Sequence, residues 1–555
     1  MRQAGAGAKR RLDMEKAIMT QIEKWKNSAV LTEAEKKELE AMTQEELASA
    51  FARDLEFGTA GLRGVMGLGT ARMNIYVIRR ATKGLAIYLK NHFQAPKVVI
   101  SYDSRNHSRE YAEAAAGVLA KAGVETYIYG EMMPVPVLSY TTRYLKCDAG
   151  IMITASHNPK QYNGYKVYAA TGGQILDAAA DEILGEIMSL DMFDDVDYYD
   201  FDEAMAKDCK YVPEEVYKSF LAQAEAASKL TSERDLEIVY TPLNGSGARP
   251  VQDILARNGF NKVSVVKEQL EPNGDFPTCP SPNPEKVEVY ELALELAKEK
   301  NADVIVATDP DCDRVGVMAK RGSQWVLMTG NQLGILLTDY IAGQVENPET
   351  KTMVTSVVST PMVNKIAAAY GIGMRRTLVG FKYIGEQIDL LGDGFMFGFE
   401  ESNGYLVGRY ARDKDGVVAA KLACQMAAFY KAQGKTLIDV LDGLYEKFGH
   451  CVDQTVSVDL DDISQAKGIM EAIATRDAAE KVFGETSEFV NYSADETGLP
   501  KANMIQIEKE DGTRVIVRPS GTEPKVKLYM SFYEEDQEKL EERKTEILTN
   551  FKKII

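Results

Sequence analysis

Apolar positions along the chain follow two rhythms that alternate with each other. Short apolar runs at Lys97–Asp103, Glu125–Tyr129 and Ala149–Ile153 read as strands, and helical-period segments at Thr82–Lys90 and Arg109–Ala122 separate them. The same alternation returns with strands at Leu236–Tyr240, Val263–Lys267 and Asp303–Thr308 and helices at Val251–Arg257 and Val287–Lys300. A third round has helices at Asn331–Ile341 and Pro361–Tyr370 and strands at Met353–Val358 and Arg375–Leu378, closed by helices Val417–Ala432 and Leu437–Phe448. Strands and helices alternating at this spacing predict mostly parallel sheets covered on both faces. From Cys451 the pattern changes to strands in succession, ending in a helix at Glu535–Lys552. The start is helical, with Ile18, Ile22 and Trp25 on one side and a capping box at Thr32-Glu-Ala-Glu35 opening a second helix. The acidic, aromatic stretch Asp191–Asp202 reads as a linker or surface loop.

Length agrees with this repetition, since 555 residues exceed one core and suggest three or four domains. Composition is that of a soluble globular protein, 45% hydrophobic and 27% charged, and no apolar run approaches the ~20 residues that span a bilayer. A net charge of −18 repels nucleic acid and anionic lipid, so neither is an expected partner, and binding of a phosphate must rest on a local basic pocket. The six cysteines form no C-x-x-C pair, which fits neither a zinc site nor a disulfide framework and points to a reducing cytosol. Met1–Asp13 is Gly/Ala-rich, then basic, and reads as a frayed extension.

Four loops carry the chemistry. Thr154-Ala-Ser-His-Asn-Pro159 follows the strand Ala149–Ile153, so Ser156 stands at a strand's end, where open α/β sheets bind ligands. Its hydroxyl there is either a phosphoryl carrier or a cap on a polar turn. Lys166 is expected to fold back over it through a turn at Asn163-Gly164. Asp309-Pro-Asp-Cys-Asp-Arg314 holds three carboxylates at alternate positions at another strand end, an oxygen-ligand set that suits Mg²⁺. A calcium EF-hand is excluded because its glycine and glutamate positions hold Arg314 and Lys320. The motif by itself leaves open an aspartyl-phosphate phosphatase. Glu400 and Ser402, in Gly394–Gly404, have the side chains that sugar hydroxyls need, or make a polar hairpin. Val515–Lys525 presents Arg518, Ser520, Thr522, Lys525 and the backbone of Gly521, donors that suit an oxyanion, or a charged turn. Upstream, Phe57–Gly64 is a glycine-rich loop in which Arg63 is a fixed cation, and Asp103 and Arg105 either support the serine loop or cap the next helix, with capping preferred.

Taken together, Thr154–Pro159, Asp309–Arg314, Gly398-Phe-Glu-Glu-Ser-Asn-Gly404 and Arg518-Pro-Ser-Gly-Thr522 resemble the motifs of the α-D-phosphohexomutase superfamily, in its order and near its spacing. The likeness covers nearly everything from about residue 40. Phe57–Gly64 and Tyr405-Leu-Val-Gly408 followed by Arg412-Asp-Lys-Asp-Gly416 are similar to the phosphoglucomutase and phosphopentomutase branch. The resemblance implies three related mixed-sheet α/β domains plus a smaller C-terminal α+β domain around a central cleft, here divided at 1–205, 206–324, 325–450 and 451–555. It implies interconversion of glucose 1-phosphate and glucose 6-phosphate through glucose 1,6-bisphosphate, with pentose or mannose phosphates as alternative substrates; the cytoplasmic location expected rests on the cysteines. It also implies roles. Ser156 is the phosphoserine and shares Mg²⁺ with Asp309, Asp311 and Asp313; Lys166 is the acid/base; Arg63 spreads the charge of the transferring group; His157 orients the serine. Gly380 and Lys382 line the cleft, Arg314 touches substrate, Glu400 and Ser402 hold hydroxyls, and the Arg518–Thr522 loop with Lys525 grips the idle phosphate. Some bacterial phosphomannomutases carry a histidine where this chain has Gly404, which counts against a mannose-specific role. A domain-four hinge is expected near Gly449–Thr455. A steady phosphatase is disfavoured by Cys312 and Asp313 after the second aspartate, and a binding protein without catalysis by the presence of Ser156, Lys166 and all three aspartates.

Overall fold

The computed structural model describes residues 16–55, 61–228, 231–495, 497–520 and 524–555. The chain divides into two compact units, one of Met1–Ser228, Glu237–Val315 and Arg409–Lys421, the other of Lys229–Leu236, Gly316–Gly408 and Leu422–Ile555.

In the first unit, helices cover a six-stranded sheet of β1 (Leu62–Val65), β2 (Lys97–Tyr102), β3 (Glu125–Ile128), β4 (Ala149–Ile153), β5 (Tyr162–Ala169) and β6 (Cys209–Tyr211), ordered β1-β5-β4-β2-β3-β6. The strands β4, β2, β3 and β6 are parallel, while β5 runs antiparallel between β4 and β1. On one face Val98, Ile100, Ile151 and Ile153 meet Ile78, Leu85 and Leu119 of the covering helices in one core, and on the other Val99 and Met152 are buried as well. The helical start packs as its apolar stripe predicts, with Trp25 edge-on to Phe51, Tyr76 and Phe193. Phe193 therefore ties the stretch read as a linker into a core, and that stretch ends in a short helix, Phe201–Met205. The capping box at Thr32 is present. The unit also holds three parallel strands, β7 (Ile238–Thr241), β8 (Val263–Val265) and β9 (Val304–Thr308), with β7 in the middle.

In the second unit a hairpin of β10 (Val315–Arg321) and β11 (Gln324–Leu327) precedes a sheet of β12 (Thr352–Ser356), β13 (Gly373–Thr377), β14 (Phe395–Glu400) and β15 (Gly404–Val407). Its order is β13-β12-β14-β15, parallel except for β15. The last sheet is wholly antiparallel: β16 (Cys451–Asp459), β17 (Glu488–Asn491), β18 (Ile505–Glu508), β19 (Arg514–Pro519) and β20 (Lys525–Tyr533), ordered β16-β20-β19-β18-β17. The terminal helix Gln537–Phe551 and the short helices Gln465–Ala472 and Arg476–Phe483 cover it. Residues 451–455, expected in a hinge, are paired along β16 with β20. Among the described residues all six cysteines are free and buried, and no helix is long and apolar enough to cross a membrane.

Candidate active site

β4 is apolar and buried along its length, and its end delivers Ser156. The residue is 3% exposed and sits at φ 50°, in the left-handed region that a non-glycine side chain enters at a cost of about 1–3 kcal/mol. The surroundings hold it there. Its N–H donates to Thr154 Oγ1 at 2.8 Å, and Thr154 donates in turn to Asp103 Oδ2 at 2.6 Å. The Arg105 guanidinium donates to the carbonyls of Ser156 and Asn158 and, at 3.0 Å each, to those of Pro159 and Tyr162. Asp103 and Arg105 thus brace the serine loop; the residue at the head of the following helix is His107, so the capping reading is corrected.

Lys166 reaches the site by a route the sequence did not suggest. Asn163-Gly164 is not a turn but lies inside β5, and the antiparallel register sets Lys166 opposite Met152. Glycine is required at 164 because a Cβ would stand 2.4 Å from the carbonyl oxygen of Thr154. Arg63 is likewise on a strand, β1, opposite Gly164, and donates to Asn158 Oδ1 at 3.4 Å.

β9, also fully buried, delivers the aspartates, and here too a non-glycine residue, Cys312 at φ 50°, turns the loop. Asp309, Asp311 and Asp313 are at most 2% exposed, with one oxygen of each within 4.8 Å of the others. Ser156 Oγ donates to Asp309 Oδ2 at 2.7 Å and lies 3.1 Å from His157 Nδ1. Lys166 Nζ donates to Asp311 Oδ2 at 2.9 Å and stands 3.7 Å from Asp313. Burial, then the charges of Asp311 and Asp313, push the Asp309 carboxyl well up. Asp313 goes the other way: burial opposes its charge, but Lys414, Lys166 and Arg314 hold it below the usual carboxylate range. Asp311 Oδ1 and Asp313 Oδ1 are buried without a hydrogen-bond partner. Buried acceptors left unpaired beside a destabilised carboxylate fit a hard divalent cation, which would take up both oxygens and lower Asp309.

Burial, then the charges of Arg314 and Arg63, hold His157 well below its ordinary value, so the ring is neutral at pH 7. With the serine proton directed at Asp309, the ring donates to Oγ through Nδ1, an orienting contact. Arg314 donates to Glu285 at 2.6 Å. A further group had no role in the sequence reading: Lys414 lies 3.2 Å from Asp313 and 3.0 Å from Asp413, whose other oxygen accepts from Tyr168 and Gln174. The signal was the run Arg412-Asp-Lys-Asp-Gly416, whose alternating charges are buried here instead of solvated.

In the second unit, Glu400 ends β14 at 5% exposure and accepts from the N–H of Gly380 at 2.7 Å. Lys382 lies in the first turn of the helix Phe381–Leu391. Ser402 is half-buried in the turn between β14 and β15, and that turn lies against Gly330, where a Cβ would meet the Glu401 carbonyl at 2.0 Å. Arg518 is on β19, opposite Lys527; Ser520 donates its N–H to Lys525 O at 2.8 Å, closing the loop, and Lys525 opens β20. Gly521 and Thr522 lie outside the described residues.

Comparison with known proteins gives this arrangement a lineage. The chain matches the phosphoglucomutase/phosphomannomutase family in four consecutive segments: alpha/beta/alpha domains I, II and III at residues 54–192, 215–322 and 329–448, and the C-terminal domain at 458–549. It is 35% identical over 507 residues to a phosphoglucomutase of Staphylococcus epidermidis, covering 88% of this chain and 92% of that one. It is 37% identical over 465 residues to a Haemophilus influenzae protein named "Probable phosphomannomutase", covering 82% and 92%. Among solved structures, the open form of a Paramecium phosphoglucomutase shares the fold with a TM-score of 0.71 at 18% identity, over 90% of this chain and 96% of that one. With all four domains matched in order and the serine and aspartate loops brought together in one buried cluster, the chain belongs to the phosphoglucomutase/phosphomannomutase family of isomerases.

Proposed function

We propose that the protein interconverts α-D-glucose 1-phosphate and glucose 6-phosphate by transfer through phospho-Ser156, with glucose 1,6-bisphosphate as intermediate and activator. The observation that carries this reading is the 2.7 Å contact of Ser156 Oγ with Asp309, inside a buried triad of carboxylates in which Asp311 Oδ1 and Asp313 Oδ1 have no hydrogen-bond partner. The staphylococcal relatives are named phosphoglucomutases and cover most of the chain, which favours glucose.

The phosphoryl group moves from Ser156 Oγ to the free hydroxyl of the sugar monophosphate, and the hydroxyl proton leaves to the neutral amine form of Lys166. The bisphosphate turns over, its other phosphate returns to Ser156, and Lys166 gives the proton back to the oxygen left behind. Asp309, Asp311 and Asp313 would hold Mg²⁺, which when bound supplies charge stabilisation for the transferring group. Arg63 faces the same group as a fixed cation, neutral His157 aims Oγ, and Lys414 keeps Asp313 ionised. Arg314 contacts substrate. Glu400 and Ser402, with Gly380 and Lys382 beside them, take the sugar hydroxyls, and Arg518, Ser520, Gly521, Thr522 and Lys525 take the phosphate that is not reacting.

The test is conversion of glucose 1-phosphate with Mg²⁺, with and without a trace of glucose 1,6-bisphosphate, by wild type and Ser156→Ala. Turnover that is primed by bisphosphate and lost in the variant is expected; full activity of the variant would overturn the assignment. A second reading, mannose phosphate as substrate, has the Haemophilus relative in its favour, and the ratio of kcat/KM on the two sugars decides between them.

A further inference from the structure

The strand β19 carries Arg518 at its end and, four residues earlier on the same face, Arg514. Arg514 is 6% exposed and belongs to a row of polar side chains in direct register across the whole antiparallel sheet: Glu488, Glu508, Arg514, Ser531 and Asp453. Its guanidinium leaves the sheet to donate to the carbonyl of Ser359 at 2.5 Å. That carbonyl lies in the turn following β12, and Arg376 of β13 grips the same turn, donating to Ser356 O at 2.9 Å and to Ser359 O and Thr360 O at 3.0 Å. The two guanidinium groups on this turn, Arg514 buried and Arg376 half-buried, repel each other; desolvation, then the charge of Arg514, draws Arg376 down to about 9.

What the turn does with its side chains gives the grip a purpose. Ser356 and Ser359 are fully buried, bond each other at 2.9 Å and both reach Glu401 Oε2, at 3.0 and 3.2 Å. Glu401 stands between Glu400 and Ser402. Between the two arginines of β19, Ile516 packs with Val357, Val358, Leu378 and Tyr529 in one apolar cluster. Tyr529 bonds Arg518 and lies within electrostatic reach of Glu401 and Glu400.

We propose that Arg514 is a positioning residue for the sugar loop: through the Ser359 carbonyl it fixes the turn whose two hydroxyls orient Glu401, so that one strand sets both the phosphate-gripping loop and the sugar-binding loop. The consequence for turnover rests on the function proposed above; the mechanical link does not. A phosphate held after β19 and a sugar held after β14 are thereby registered to each other, which a bisphosphate that must be bound in two orientations requires.

The experiment compares wild type, Arg514→Met, Arg514→Lys and the double variant Ser356→Ala/Ser359→Ala by hydrogen-exchange mass spectrometry and by mutase kinetics. In Arg514→Met the amides of residues 398–404 are expected to exchange about tenfold faster, with residues 149–169 unchanged. KM for glucose 1-phosphate is expected to rise about tenfold, with Arg514→Lys recovering part of both effects. The serine double variant is expected to reproduce the faster exchange, and combining it with Arg514→Met adds nothing further, as one relay demands. If residues 398–404 exchange at the wild-type rate while β18 and β19 loosen, or if the effects simply add, the relay is wrong. If Arg514→Met does not fold, the serine variant decides by the same two readouts. Inactive wild type on glucose 1-phosphate would overturn the proposed function while leaving the exchange result to judge the relay.

Discussion

Asp415 lies at the head of the helix Gly416–Lys431, wholly buried, accepting from Tyr410 and, at 2.9 Å, from the N–H of Val418. Burial raises its carboxyl to about 6 against the donors that lower it. A group raised on folding stabilises the native state fully below its unfolded value near 3.8 and loses that contribution as pH rises through 6. Between pH 7.5 and 5 the wild type should therefore gain about 1.4 kcal/mol relative to Asp415→Asn, read from urea unfolding at the two pH values. An unchanged difference would show that the carboxyl titrates normally. The same stretch shows where residue-scale reading stops. Ser156 and the three aspartates are legible because their order after a buried strand states a chemistry. Lys414 is not, because a lysine between two aspartates reads as solvated charge, and only the tertiary structure reveals that it is buried against Asp313.

At the scale of elements, the serine loop is a strained turn gripped above all by Arg105, which donates to the carbonyls of Ser156, Asn158 and Pro159 and of Tyr162 at the start of β5. Lysine keeps the charge but cannot span four acceptors from a single nitrogen. Arg105→Lys should lower kcat about 10²-fold, the cost of misplacing a reacting group by about 1 Å, while circular dichroism stays that of wild type. A kcat within twofold of wild type would show that the loop holds itself. Local pattern located most strands and helices within a few residues, and β4 and the helix Leu437–Phe448 at their ends. It passed over β5, because Asn163-Gly164 is turn-like until pairing with β4 and close approach to Thr154 override the preference. It also passed over the helices Val135–Tyr144 and Phe381–Leu391, whose prolines, threonines or glycine-flanked start weaken the local signal.

For the whole molecule, the repetition of strand and helix was legible as three α/β rounds followed by a different C-terminal part, and the four family segments follow that sequence. That residues 409–421 pack with the first unit was not, because the chain leaves that unit after Val315 and returns only for this stretch, with Arg412 N–H bonded to Ser139 and Lys421 to three carbonyls at 224, 225 and 228. The central claim is that Ser156 carries the phosphoryl group between sugar positions. It is tested most directly by peptide mass spectrometry of the Mg²⁺-loaded enzyme after incubation with glucose 1,6-bisphosphate and after a chase with excess glucose 6-phosphate. The account predicts one phosphoryl group on Ser156 that the chase removes into bisphosphate. Phosphate found instead on Asp309, or released as inorganic phosphate without passing through Ser156, would contradict it.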